Sequence, residues 1–305
     1  MNRSFKATVV AAAFCAVAGA GVVGYGGVAV GAQKSSGAEK ASGAQESAGV
    51  REFSGGQKIR VGGYSVNVSC SGRAVGREPV VMLMAGGGDG LETMRPLQKS
   101  LSKKGRVCSY DRLGEGESDK PKGLQSIDDS GRILSGVLDR VVGKRPVVLA
   151  GHSMGGLIAA RYAPDHRDRV KGLVLMDATI PALTAGINKA IPASATGMAA
   201  DLRDQTIAVN EGQNPERFVI ADAAVRSVGS IPVQIIKHES QYSEVPGYGP
   251  ALERMWADGQ RQWLALSHRS STSTAAGSGH YVHVDRPDIA VKAIKRVTAQ
   301  AARHH

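Results

Sequence analysis

The 305-residue chain is 42% apolar but only 4% aromatic, so it has material for a sizeable core that must be built from Val, Leu, Ile and Ala. A formal charge of +11 raises nucleic acid or an anionic membrane as partners, yet the Lys and Arg residues are scattered singly, without a long basic block or interleaved aromatics. That pattern speaks against a nucleic-acid binder and describes a solvated surface.

Residues 1–32 read as a targeting segment rather than as fold. A short basic leader, "MNRSFK", precedes the uncharged "ATVVAAAFCAVAGAGVVGYGGVAVGA", with small-residue cleavage options at Ala16-Val17-Ala18 and Val30-Gly31-Ala32. Export to the cell envelope or medium is expected. If retained, residues 7–32 are long enough to anchor the chain in a bilayer. Residues 33–55, poor in apolar side chains and rich in Ser, Gly and Ala, are expected to form a disordered linker. Export would remove Cys15 and leave Cys70 and Cys108, an even pair that favours a disulfide over two buried thiols. Their number and spacing do not suit zinc.

From residue 56 onward the pattern becomes regular. "QKIRV" and "YSVNVSC" read as a hairpin joined by Gly62-Gly63, since such a pair supplies the positive φ of a tight turn. "PVVMLMA" from Pro79 is a buried strand, "ETMRPLQKSLSKKG" a helix ending at Gly105, and "RVCSYD" another strand. Leu134, Val137, Leu138 and Val141 mark one face of a helix. The stretch "VVLAGHSMGGLIAARYA", Val147 to Ala163, reads as strand, sharp turn and helix. "VKGLVLMD", "IPVQIIKHE" and "STSTAAGSGH" carry three more strands, and "RPDIAVKAIKRVTAQAA" closes the chain as a helix. Strands alternating with helices predict a mostly parallel sheet covered on both faces. Residues 181–230 lack a buried-strand signal and contain helix-like pieces, among them "AADLRDQTIAVNEG" and "NPERFVIADAAVRSV". They are expected to form a helical cap.

A lone Gly-x-Ser-x-Gly is weak evidence in a chain with 39 glycines. Here Gly151, Ser153 and Gly155 lie between an apolar strand and a helix, the setting in which a serine becomes an exposed nucleophile on a strained turn. Four motifs in order carry a family resemblance: "MAGGGDG", "YDRLGEGESD", "GHSMGG" and "GSGHYVHVDRPD". Over residues 57 to 300 the chain resembles the α/β-hydrolase superfamily, in its compact esterase-like branch with a small helical cap. The resemblance implies an eight-stranded, mostly parallel sheet flanked by helices, with the cap inserted after strand 6. It also places the strand ending in Cys70 antiparallel to the one beginning near Cys108, so that the two thiols could meet.

The same resemblance supplies roles. Ser153 is the expected nucleophile and His280 its base, with His283 packed and His152 structural. The acid is expected at Asp177. Many relatives keep an Asp one strand later, where this chain has Glu239, which remains the alternative. The oxyanion hole is expected from the backbone N–H groups of Met154 and Gly87, with Gly88 as the other choice for the second donor. "DRLGEGESD" lacks the third glycine of a dinucleotide fingerprint and meets Pro121, so Asp111 and Arg112 read as braces that pair ions at the sheet edge. Ser at the elbow argues against dehalogenase or epoxide-hydrolase chemistry, which uses Asp there. The expected function is an exported serine hydrolase that cleaves a small carboxylic ester through an acyl-enzyme and needs no cofactor or metal. No nucleic-acid partner is expected, and no membrane partner unless residues 7–32 persist. The alternatives are another acyl or C–C hydrolase or transferase of this fold, or an inert binding protein built on it.

Overall fold

The structure is a computed structural model that describes residues 53–303. The readings of 1–32 as signal or anchor, and of the linker up to residue 52, lie outside the described residues. Eight strands form one sheet: β1 (Gly55–Val61), β2 (Tyr64–Ser71), β3 (Val80–Met84), β4 (Val107–Tyr110), β5 (Val147–His152), β6 (Val170–Met176), β7 (Val233–His238) and β8 (Ser270–Ala275). Their order is β1-β2-β4-β3-β5-β6-β7-β8. The contacts β1/β2 and β2/β4 are antiparallel and all others parallel, as expected from the sequence. Gly62 (φ 56°) and Gly63 (φ 85°) make the first hairpin turn, where L side chains would be strained.

The continuous apolar runs of the central strands are explained by burial on both faces. Val80, Met82 and Met84 of β3 face one core, with Leu134, Val137 and Leu138 of α2 (Ile127–Val141) and Leu157 and Ile158 of α3 (Ser153–Tyr162). The alternate residues Val81 and Leu83 face the other core, against Leu97 and Leu101 of α1 (Arg95–Leu101) and Ile294 and Val297 of the C-terminal helix (Pro287–Ala302). Because the side chains alternate, each strand serves both layers at once.

Residues between β6 and β7 contain α4 (Leu183–Ala190) and α5 (Gly197–Asn210). With α6 (Gly249–Gln262) they build a third cluster around Ile187, Ile191, Leu202, Leu252 and Trp256. Two expectations need correction. The helix expected up to Gly105 is a 3-10 turn over Leu91–Met94 followed by α1, which stops at Leu101. Pro96, lacking an N–H, opens the second piece rather than continuing the first. The helix-like "NPERFVIADAAVRSV" forms no helix: it turns at 214–216, Arg217 has φ 50°, and Phe218 and Val219 make isolated bridges to Gln125 and Glu211. Asn214 Oδ1 accepts from Phe218 N–H, and Nδ2 donates to the carbonyls of Val209 and Phe218, which competes with helical pairing. Glu216, Phe218 and Ile220 are then buried at a period of two.

Cys70 and Cys108 are directly opposed across β2 and β4, with Cα atoms 4.1 Å apart, and form a disulfide. The crosslink spans a sequence separation of 38, for which loop-closure entropy predicts stabilisation of up to about 4 kcal/mol. Urea unfolding of the Cys70→Ala/Cys108→Ala double variant should show a loss of that order. Alkylation of oxidised protein under denaturing, non-reducing conditions should leave both positions unlabelled in the peptide map, and label at both would refute the bridge.

Candidate active site

The carboxyl edge of the sheet collects every candidate residue: Ala85–Gly88 after β3, Ser153 after β5, Asp177 after β6, His238 at the end of β7 and His280 after β8. In open α/β sheets that edge is where loops, freed from ladder pairing, can converge on a ligand. Ser153 has φ 49°, a left-handed conformation that a non-glycine residue adopts only when its surroundings enforce it. The enforcement is visible in the glycines. A Cβ on Gly151 would stand 2.4 Å from the Gly155 carbonyl carbon and oxygen, one on Gly155 would stand 2.4 Å from Ala85 O, and one on Gly156 would meet Ala178 Cβ at 2.6 Å. Only glycine lets β5 reverse into α3 this tightly. The turn holds Ser153 half-buried at the helix N-terminus, where backbone N–H groups and the helix dipole favour negative charge.

Asp177 also has positive φ (47°), and its N–H donates to Ile236 O of β7 at 2.7 Å. Its buried carboxylate accepts four hydrogen bonds. Oδ1 takes Trp256 Nε1–H (2.9 Å) and His238 N–H (3.0 Å), and Oδ2 takes the Nδ1–H groups of His280 and His238, both at 2.7 Å. Burial alone would raise its pKa, but the bonds and charges of His238 and His280 outweigh it and hold the group well below the usual carboxylate range. With Nδ1–H committed to Asp177, His280 keeps its lone pair on Nε2, the arrangement a general base requires.

His152 ties the two halves together. Its Nε2–H donates to the backbone carbonyl of His280 at 3.0 Å, and the two rings lie 4.6 Å apart, so the elbow and the His280 loop share one fixed geometry. Burial holds His152 well below the ordinary histidine pKa, and burial together with the His280 charge lowers His283 to about 4. Both are therefore neutral near pH 7, with the His152 ring against His280 and the His283 ring against His152 at 4.6 Å. Glu239 lies on the surface and accepts from Gly277 N–H at 2.8 Å, away from His280. The geometry thus brings Asp177, not Glu239, to the imidazole.

The "AGGG" loop is positioned by charge. Arg112 donates to Ala85 O (2.6 Å) and Gly86 O (2.8 Å) and pairs with both oxygens of buried Glu216, at 2.7 and 2.6 Å. Asp111 is a different brace from the ion pair expected: it accepts from Asn67 Nδ2 and from the N–H groups of Leu91 and Glu117. Gly88 N–H donates to Glu115 Oε1 at 2.7 Å, which occupies that donor and so speaks for Gly87 over Gly88 as the position to face a ligand beside Met154. A Cβ on Gly87 would stand 2.9 Å from Met154 Cε, so the two positions are adjacent. One guanidinium cannot balance two buried carboxylates. Burial and the neighbouring Glu216 charge push Glu115 up to about 8, so that it carries a proton at neutral pH.

Sequence reasoning missed His238, Glu253 and Trp256. Glu253 and Trp256 lie on α6, whose buried positions Leu252, Trp256, Gly259 and Gln260 have helical spacing that could have located the element. The donor atoms of Asp177, His238 and His280 lie within 4.8 Å of one another, close enough to suggest a metal site. They are instead committed to each other as donors and acceptor, which describes a proton-holding chain.

A family model described as alpha/beta hydrolase fold matches residues 79–242. Among curated relatives, the chain is 26% identical over 226 residues to the uncharacterized protein YqjL of Bacillus subtilis, covering 72% of this chain and 84% of that one. Among solved structures it resembles the enol-lactonase from Burkholderia xenovorans LB400 (TM-score 0.58, 20% identity, 80% of this chain and 100% of that one). It also resembles the carboxylesterase CesB of Bacillus subtilis (TM-score 0.56, 16% identity, 81% and 92%).

Breaking the buried pair by Glu216→Ala should cost about 3–5 kcal/mol in urea unfolding. Glu115→Gln should behave oppositely. Folding raises the Glu115 pKa from 4.5 to about 8, so the folded chain keeps a proton that the unfolded chain releases. The wild type therefore loses stability relative to Glu115→Gln as pH rises through that window. The difference should be absent below it and constant above it.

Proposed function

We propose that this chain, which belongs to the α/β hydrolase fold family, is a hydrolase that cleaves a carboxylic ester through an acyl-enzyme on Ser153. The observation that carries the reading is the Asp177–His280 hydrogen bond, joined through His152 to a serine held in a left-handed turn. His280 Nε2 takes the Ser153 proton as Oγ attacks the ester carbonyl, and Asp177 stabilises the imidazolium that forms. The N–H groups of Met154 and Gly87 receive the oxyanion. Collapse of the tetrahedral intermediate expels the alcohol, which takes the proton from His280. Water then attacks the acyl-enzyme with His280 as base, and the acid leaves as Ser153 is restored.

A small acyl substrate and export through residues 1–32 belong to the same proposal. The enol-lactonase and carboxylesterase names of the two solved structures support an ester bond as the target. The helices α4 and α5 stand between β6 and β7, where a cap would select the acyl group.

A fluorophosphonate should label Ser153 in the wild type, mapped by peptide mass spectrometry, and fail to label Ser153→Ala or His280→Ala. Absence of label on folded wild type would favour the binding-protein alternative. Ester turnover should fall by about 10³–10⁴-fold in Asp177→Asn, whose amide cannot hold the required tautomer. Glu239→Gln should keep near-full activity, and the reverse pattern would move the acid to Glu239.

A further inference from the structure

His238 stands at the carboxyl end of β7 with its side chain 2% exposed, and both of its ring nitrogens face carboxylates. Nδ1 lies 2.7 Å from Asp177 Oδ2, and Nε2 lies 2.9 Å from Glu253 Oε2 on α6. An ionised carboxylate only accepts, so both ring nitrogens must donate, and His238 is an imidazolium. Glu253 is itself fixed, since its Oε1 accepts from Gln241 N–H (2.6 Å), Tyr242 N–H (2.5 Å) and Ser240 Oγ–H (3.4 Å). Burial opposes the charge on His238, but its bonds to Asp177 and Glu253 outweigh that cost and lift it to about 9.

The consequence follows from sharing. His280 donates to the same oxygen, Oδ2, that His238 already occupies. We propose that His238, held by Glu253, is a positioning residue that locks the Asp177 carboxylate and offsets its charge, extending activity toward acidic pH. The proposal rests on the serine-hydrolase reading above. A fixed cation beside Asp177 repels a second positive charge placed at His280 across the oxygen that the two rings share. The other groups around His238 are Tyr242 and Trp256, whose rings lie 6.1 and 6.0 Å away, and Lys237, whose Nζ donates to the His238 carbonyl. Around His280 stand Asp177, neutral His152 and His283, Asp89, Tyr281 and Trp256. Among these named groups, neither Tyr242, which is pushed upward by burial, nor the two neutral histidines supplies a competing charge near pH 7.

The test is the pH profile of kcat/KM for an ester in wild type, His238→Gln, Glu253→Gln and the double variant. His238→Gln keeps a neutral donor to Asp177 and should move the acid limb upward by about one pH unit. Its plateau should fall far less than that of Asp177→Asn. Glu253→Gln should move the limb the same way, and the double variant should match His238→Gln, because both act through one chain. An unmoved limb in His238→Gln, or additive shifts, would overturn the proposal. Nitrogen NMR of the folded wild type provides a second readout that needs no variant to fold. Both His238 ring nitrogens should be protonated at pH 7.5, and a bare nitrogen there would also overturn it. Loss of wild-type turnover or of Ser153 labelling would instead defeat the hydrolase reading, leaving the NMR result to stand by itself.

Discussion

A fully buried carboxylate is tolerated only when its charge is met, and the geometry at the carboxyl edge of the sheet follows from how Asp177 meets that condition. Its four donors come from β7, from α6 and from the loop after β8, so the demand of one side chain fixes three separate segments relative to β6. The left-handed backbone at Asp177 is part of the same solution. It turns the chain so that the side chain points along the edge while the N–H still pairs with β7. Removing any donor would leave acceptor capacity buried and unpaired, which costs more than the bond itself contributes.

The elbow satisfies a different constraint, that of space. Gly151, Gly155 and Gly156 remove the side chains that would collide as β5 turns into α3, and the strain at Ser153 is held by the packing around it. Electrostatic and steric constraints converge because His152, adjacent to Ser153, donates to the backbone of His280. The Ser153 and His280 loops are therefore registered by the His152 side chain on the His280 main chain, a link that does not depend on the rotamers of Ser153 or His280.

The parts that were legible in the sequence are those whose signal is local. A buried strand shows as an apolar run, the elbow as glycines two residues to either side of a serine, and His280 as a histidine following the last strand. Ser153, His280 and Asp177 could be named because each adjoins such a pattern and the family resemblance attaches a role to that position. His238 could not, since its partner Asp177 lies 61 residues away and the histidine ends an ordinary strand. Arg112 and Glu216 are separated by 104 residues, and Glu216 sits in a segment whose composition resembles a helix. There the capping-like bonds of Asn214 and the burial of Phe218 overrode local propensity.

The pairing of Arg112 with Glu216 also bears on how the fold can diversify. Residues 181–230 would ordinarily be regarded as an exchangeable module, free to change with the ligand while the sheet beneath stays constant. Here that module contributes the anion that neutralises the arginine clamping Ala85 and Gly86. A transplanted insertion without a carboxylate at the Glu216 position would leave a buried guanidinium uncompensated and loosen the loop beneath it. In this chain any exchange of residues 181–230 would therefore have to bring a carboxylate to the Glu216 position or change Arg112 with it.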